Sequence, residues 1–367
     1  MSMIDCKEIY IDVPRWYIRP QSSDWRMRFV LANELQEINF RIPHGHLFAL
    51  VYNVDKLIMR FLPRFVNPAF RRLCAYIRGI LLRHEGATIL LTQGEYPPMP
   101  KGVRIIWETY FLEPQNGDGR KTEEFVRGGK DRWCQQIEKY AQRASIIAVR
   151  GMASVNLLQK MYPEYTGKIA NLHFVQPEYH RVSLQDVLTK QRKTNVEILF
   201  VGRWARHKGL CRLIDALCQL QNEKVNNFTL RIVSNFRDGF VDIPKCSWIN
   251  VQKEVSHDEV LEIFKKSQVF VMPSKFESYG LVYLEALSAG CVTFVRDGEP
   301  QQEFIDYGNA GVAIDPFSPV DIASKLKPIL LDHALRERLA INGVCRYNEL
   351  FSQEKIRKAW VDWMNKI

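Results

Sequence analysis

Short, near-continuous apolar runs alternate with segments of helical spacing along most of this chain. The runs are Ile9–Val13, Thr88–Leu91, Val103–Trp107, Ser145–Val149 and Ile169–Phe174 in the first half. In the second half they are Glu197–Val201, Thr229–Val233, Trp248–Val251, Val269–Met272 and Val292–Val295. Runs this short and this apolar read as strands covered on both faces, the habit of parallel sheets. Helical spacing falls over Trp25–Leu35 (capped by Ser22, Ser23 or Asp24), Trp133–Ala141, Ala153–Met161, the segment with Leu281, Leu284 and Leu287, and most of the chain from Pro319 on. Asn116-Gly-Asp-Gly119 is a turn signal. The alternation predicts an α/β protein with doubly wound, mostly parallel sheets. The polar segment Leu184–Asn195, with Lys190, Gln191, Arg192 and Lys193, reads as a linker between a first domain over 1–185 and a second over 186–350. A last helix over 351–367 carries an apolar face of Trp360, Trp363 and Met364.

Composition narrows the partners more than the fold. The 367 residues suffice for two cores, and 46% apolar with 25% charged residues is the balance of a soluble globular protein. A net charge of +10 and a pI near 9.1 predict attraction to polyanions, whether nucleotide diphosphates, anionic lipid or nucleic acid. The eight cysteines are scattered without a C-x-x-C pair, which points to a reduced compartment and away from zinc. His44 and His46 have no third ligand in sight, so no metal is expected. Residues 1–11 lack the pattern of a secretion signal, and no stretch is apolar enough to span a membrane.

The segment Lys56–Arg83 is distinctive. Lys56, Arg60, Arg64, Arg71, Arg72, Arg78 and Arg83 interleave with large apolar residues, and no acidic residue falls within it. Pro63 and Pro68 exclude one straight helix. Such a segment reads either as a peripheral contact with an anionic membrane or as a core helix with a solvated basic rim.

The chemistry concentrates in Val269–Val295. A strand, a polar loop, a helix and a second strand form a crossover unit, whose loop lies at the ligand-binding edge of a parallel sheet. Glu277 sits in that loop. The free N–H groups near Gly280 and Leu281 suit a phosphate, and Glu285 follows eight residues after Glu277, inside the helix. A second strand–loop–helix unit, Glu197–Leu210, carries Gly202, Arg203 and Lys208.

Pro273-Ser274, Glu277, Gly280-Leu281-Val282, Glu285-Ala286 and Ala289-Gly290 together resemble the E-x7-E signature of retaining glycosyltransferases of family GT4, which have the GT-B fold. Gly202, Arg203 and Lys208 resemble the second donor motif of that family. The resemblance is specific over 196–315 and architectural before that. It implies two facing Rossmann-like domains, the last helix crossing back to the first. It also implies transfer of a sugar from a UDP- or GDP-linked donor, with no cofactor and no metal. Arg203 and Lys208 would take up the diphosphate charge, Glu277 would contact the transferred sugar, and Glu285 would accept from the ribose. Ser278, Tyr279, Gly280 and Leu281 would complete the donor site. On the acceptor side Arg15 and Trp16 stand where relatives often have a glycine-rich loop, and Glu108 where many have a His-Asp group. The implied acceptor is a lipid-linked glycan at the inner face of the membrane, in surface-polysaccharide (O-antigen, capsule or lipopolysaccharide) assembly, with the protein cytoplasmic and peripheral. The alternatives are a sugar-nucleotide epimerase or hydrolase on the same fold, and a basic nucleic-acid-binding protein. The last is disfavoured because both donor motifs are intact.

Overall fold

A computed structural model of the chain describes residues 8–11, 39–41, 46–61, 67–84, 89–93, 102–108, 138–173, 182–239, 241–253, 255–275, 277 and 279–366. Among these, 8–173 with 356–366 group into a first unit and 182–355 into a second. The strands are β1 Glu8–Ile11, β2 Asn39–Arg41, β3 Ile89–Gln93, β4 Arg104–Glu108, β5 Ile146–Val149, β6 Ile169–Asn171, β7 Val196–Val201, β8 Phe228–Val233, β9 Ile249–Gln252, β10 Val269–Val271, β11 Val292–Arg296 and β12 Val312–Ile314. The longer helices are α1 His46–Phe61, α2 Asn67–His84, α3 Met152–Met161, α4 Leu184–Gln191, α5 Leu210–Asn222, α6 His257–Lys266, α7 Leu281–Ser288, α8 Pro319–Leu331, α9 His333–Leu350 and α10 Gln353–Met364.

In the first unit the order is β2-β1-β3-β4-β5-β6, and every pairing is parallel. Its core gathers Ile105, Trp107, Ile147 and Val149 against Leu82, Tyr140 and Leu158. α10 contributes buried Ile356, Trp360 and Met364, and the Trp360 indole N–H donates to the His173 carbonyl at 3.2 Å. The basic segment is two helices: Pro63 falls between them, and Pro68 sits in the first turn of α2, where a missing N–H costs nothing. Leu47, Leu50, Val54 and Leu57 recur at helical spacing on α1 and are exposed, as are Phe70, Leu73, Tyr76 and Ile80 on α2. Arg78, read from the sequence as one of the interleaved basic residues, is instead buried, its guanidinium 5.5 Å from the Tyr52 ring centroid.

In the second unit the order is β12-β11-β10-β7-β8-β9, again all parallel. The chain runs outward from β7 through β8 to β9, then returns to pair β10 on the other flank of β7, with Val269 opposite Ile198. β7 and β10 therefore flank the point where winding reverses, the place where such sheets open a crevice at their carboxyl ends. β10 is buried at every residue, as a strand covered on both faces must be, whereas the edge strand β9 shows polar, part-exposed positions.

The segment read as a linker is the helix α4. Ser183 caps it by accepting from the Asp186 N–H at 3.1 Å, and Val187, Lys190 and Gln191 are buried. The Lys190 ammonium donates to the carbonyls of Ala289 (2.7 Å) and Phe264 (3.3 Å), and burial pushes its pKa down. The Gln191 amide donates to the carbonyls of Gly290 (2.8 Å) and Gln268 (3.0 Å). These two polar residues serve backbone carbonyls beside β10 and the end of α7, and so lie inside the unit rather than between units.

Candidate active site

The site is built from the loops that leave β7 and β10. After β7 the Gly202 N–H continues onto the Val233 carbonyl at 3.0 Å, and a side chain at Gly202 would press on the stem of Lys208 (3.2 Å). Residues 203–209 then form a tight turn, with Lys208 N–H on the Trp204 carbonyl (2.8 Å) and Leu210 N–H on that of Ala205 (2.9 Å). Gly209 takes φ +84°, and a Cβ there would lie 2.0 Å from the Pro273 carbonyl oxygen. Only glycine permits both the left-handed backbone and that approach. Arg203 and Trp204 are exposed, while Lys208 is half-buried.

The two loops are joined through their backbones: Lys275 N–H donates to the His207 carbonyl at 3.1 Å, and the Arg212 guanidinium donates to the Pro273 carbonyl at 3.1 Å. Lys208 Nζ and Glu277 Oε2 form an ion pair, so the two charges singled out from distant motifs meet. From β11 and the turn after it, Arg296 donates to the Lys275 carbonyl and Gln301 donates to those of Glu277 (3.0 Å) and Tyr279 (3.2 Å). Arg212 and Arg296 also lie over the Phe317 ring at 5.3 and 5.2 Å.

α7 starts at Gly280, φ +85°, with no side-chain cap, so its first N–H groups are not taken by a capping side chain. A Cβ on Gly280 would lie 2.4 Å from the Tyr283 ring. Tyr283 is buried and donates to the Met272 carbonyl at 3.1 Å, and burial holds its phenol well above the usual pKa. Leu281 is half-buried and Tyr279 buried. Glu299, in the Asp297-Gly-Glu299 stretch, is also buried. Its carboxyl is raised first by burial, with Glu277 adding to the rise and Arg296, 3.3 Å away, opposing it. Glu285 faces α6, where His257 Nε2 lies 2.8 Å from its Oε1. Among the described residues no group of three His, Cys, Asp or Glu is arranged to hold a metal ion.

Three expected residues lie outside the described residues: Arg15, Trp16 and Ser278. Glu108 ends β4 fully buried and is paired with Arg150, which directly follows β5, so its carboxylate points into the unit rather than toward an acceptor in solvent. Sequence reading missed Arg212, Arg296, Gln301 and His257. Of these, His257 had a signal, since Ser256-x-x-Glu259 is a capping box whose N-cap Ser256 makes His257 the first residue of a helix.

The geometry agrees with what comparison finds. The model of the family "Glycosyl transferases group 1" matches residues 186–344, a range holding both loops, α6 and α7. The second unit is a glycosyl transferases group 1 domain. This group 1 domain is similar in sequence to an uncharacterised glycosyltransferase of Methanocaldococcus jannaschii, 29% identical over 171 residues, which are 45% of this chain and 43% of that protein. The chain spans about half the length of the curated relatives it matches. In fold it is similar to HepE of Anabaena, solved with UDP and glucose, at TM-score 0.62 and 12% identity, covering 98% of this chain and 100% of that one. It is likewise similar to WaaG, a glycosyltransferase involved in lipopolysaccharide biosynthesis, at TM-score 0.61 and 15% identity, covering 97% and 98%. Two all-parallel sheets with such neighbours make the fold GT-B. The group 1 domain thus carries the family, and the GT-B likeness extends over nearly the whole chain.

Proposed function

We propose that the protein transfers a sugar from a nucleotide-diphosphate donor, with retention of configuration and without a metal, to a lipid-linked glycan. The observation that carries the reading is the Lys208–Glu277 pair at the winding reversal, beside the uncapped start of α7. As the glycosidic bond breaks, the departing diphosphate gains negative charge. Arg203, Lys208 and the N–H groups at Gly280 and Leu281 offset that charge from fixed positions. Glu277 faces the sugar from the same loop, and Glu285 takes the ribose hydroxyls. A neighbour of the same fold was solved with UDP and glucose, which supports a nucleotide-sugar donor. Retention follows if the acceptor is deprotonated by the leaving phosphate on the same face, for which no opposing carboxylate is required. Buried Glu108 is poorly suited to be such an opposing base.

The test begins with a thermal-shift screen of UDP- and GDP-sugars, since a bound donor raises stability by mass action. The product formed from an α-linked donor is then read by NMR, with and without chelator. An α-linked product at unchanged rate is expected, and a β-linked one refutes retention.

The acceptor side of the proposal rests on α1 and α2. The exposed Leu57, Phe70, Leu73, Tyr76 and Ile80 lie within Lys56–Arg83, where every charged residue is basic, the combination that suits an anionic bilayer surface. No described helix is long and apolar enough to cross a membrane. Each basic residue near such a surface contributes about 1 kcal/mol, so replacing Lys56, Arg60, Arg71 and Arg72 by Gln should release the protein from anionic vesicles. Equal sedimentation of parent and variant would refute the membrane contact.

A further inference from the structure

Glu285 is given its place by α7, but its carboxylate is held from another helix. His257 is the first residue of α6, and its Nε2 lies 2.8 Å from Glu285 Oε1. An ionised carboxylate can only accept, so the ring nitrogen facing it carries the hydrogen. The Glu285 side chain is 9% exposed and that of His257 26%, so the bond is shielded from bulk water while the imidazole still borders solvent. The start of α6 does not depend on the imidazole. Ser256 Oγ accepts from Glu259 N–H at 3.2 Å and Glu259 Oε2 accepts from Ser256 N–H at 2.7 Å, a closed capping box built from neighbouring residues.

We infer that His257 is a positioning residue for nucleotide binding: it holds one oxygen of Glu285 so that the carboxylate keeps a single orientation toward the donor ribose. This rests on the proposed function, in which Glu285 accepts from the ribose hydroxyls. Fixing a carboxylate before the ligand arrives removes an ordering cost from binding, so the effect belongs to affinity.

The experiment is calorimetric titration of UDP and of GDP into the full-length protein, its His257→Ala and His257→Gln variants, Glu285→Gln, and the double variant His257→Ala/Glu285→Gln. With whichever nucleotide the parent binds, His257→Ala is expected to raise Kd about tenfold, the size of one lost hydrogen bond to a charged group. His257→Gln, whose amide can donate to the same oxygen, should recover most of that loss. In the Glu285→Gln background the His257→Ala change should cost much less, because the two residues act through one contact. An unchanged Kd in His257→Ala overturns the inference and leaves the proposed function standing. An equal loss in both backgrounds does the same, since it means that His257 acts without Glu285. A parent that binds neither nucleotide overturns the proposed donor site, and this inference with it.

Discussion

Each unit closes the carboxyl ends of two neighbouring parallel strands with a cation and a carboxylate, and the two pairs differ in one respect. Glu108 and Arg150 bridge β4 and β5 with side chains 1% and 3% exposed. Glu277 and Lys208 bridge the loops after β10 and β7 with side chains 17% and 18% exposed. Sequence position at a strand end marks both carboxylates as candidates, and burial separates them. A fully buried pair is locked by the cost of leaving either charge alone. A half-buried pair at a winding reversal can exchange partners with an arriving anion at little cost.

The widest gap between the pairs should appear in stability. Glu108→Gln leaves Arg150 buried without its carboxylate and should cost about 3–5 kcal/mol in the denaturant-unfolding free energy. Glu277→Gln should shift it by about 1 kcal/mol or less. A Glu108→Gln protein that is stable but inactive would reverse the assignment and make Glu108 the acceptor-side base.

Turnover should show the opposite order. Arg203→Ala and Lys208→Ala should each lose about 2.7–4 kcal/mol of transition-state stabilisation, by analogy with an oxyanion donor, with or without chelator. Full dependence on a divalent ion, with both variants active, would remove the charge clamp.

Lys190 sharpens the contrast at its smallest scale, because it is a buried cation held by two carbonyls and the Cys291 sulfur rather than by a carboxylate. Burial lowers its folded pKa, so in the alkaline range below its ordinary value of about 10.4 the unfolded chain holds the proton more tightly. Its contribution to stability therefore rises with pH there and falls as pH drops through the folded value. Lys190→Met should flatten the dependence of Tm on pH across that range, and an unchanged slope would mean that the ammonium does not titrate with folding.

Much of the second unit is legible in its residues. β7, β8, β10 and β11 are mostly apolar runs that are mostly buried, and the two loops carry a dense pattern of Gly, Pro and charge. What escapes the sequence is polar structure with a distant partner. α4 looks like a linker because Lys190 and Gln191 are hydrophilic, and only the carbonyls of residues about a hundred positions away explain their burial. The partnership of Glu108 with Arg150, forty-two residues on, and that of His257 with Glu285, twenty-eight on, leave no local trace. β2 escapes for the opposite reason: Asn39-Phe40-Arg41 is too short and too polar to stand out.

Gly209 sets a length as well as an identity. Its α-carbon lies so close to the Pro273 carbonyl that the β7 loop is gauged against the β10 loop, with the Lys275–His207 bond as a second fixed mark. One residue inserted between Arg203 and Gly209 would carry Lys208 past Glu277, and one inserted before Glu277 would do the reverse. Diversification of this loop is thereby confined to exchange of side chains in place. Trp204 and Arg206 are exposed on the same turn, so their side chains can change without disturbing that ruler.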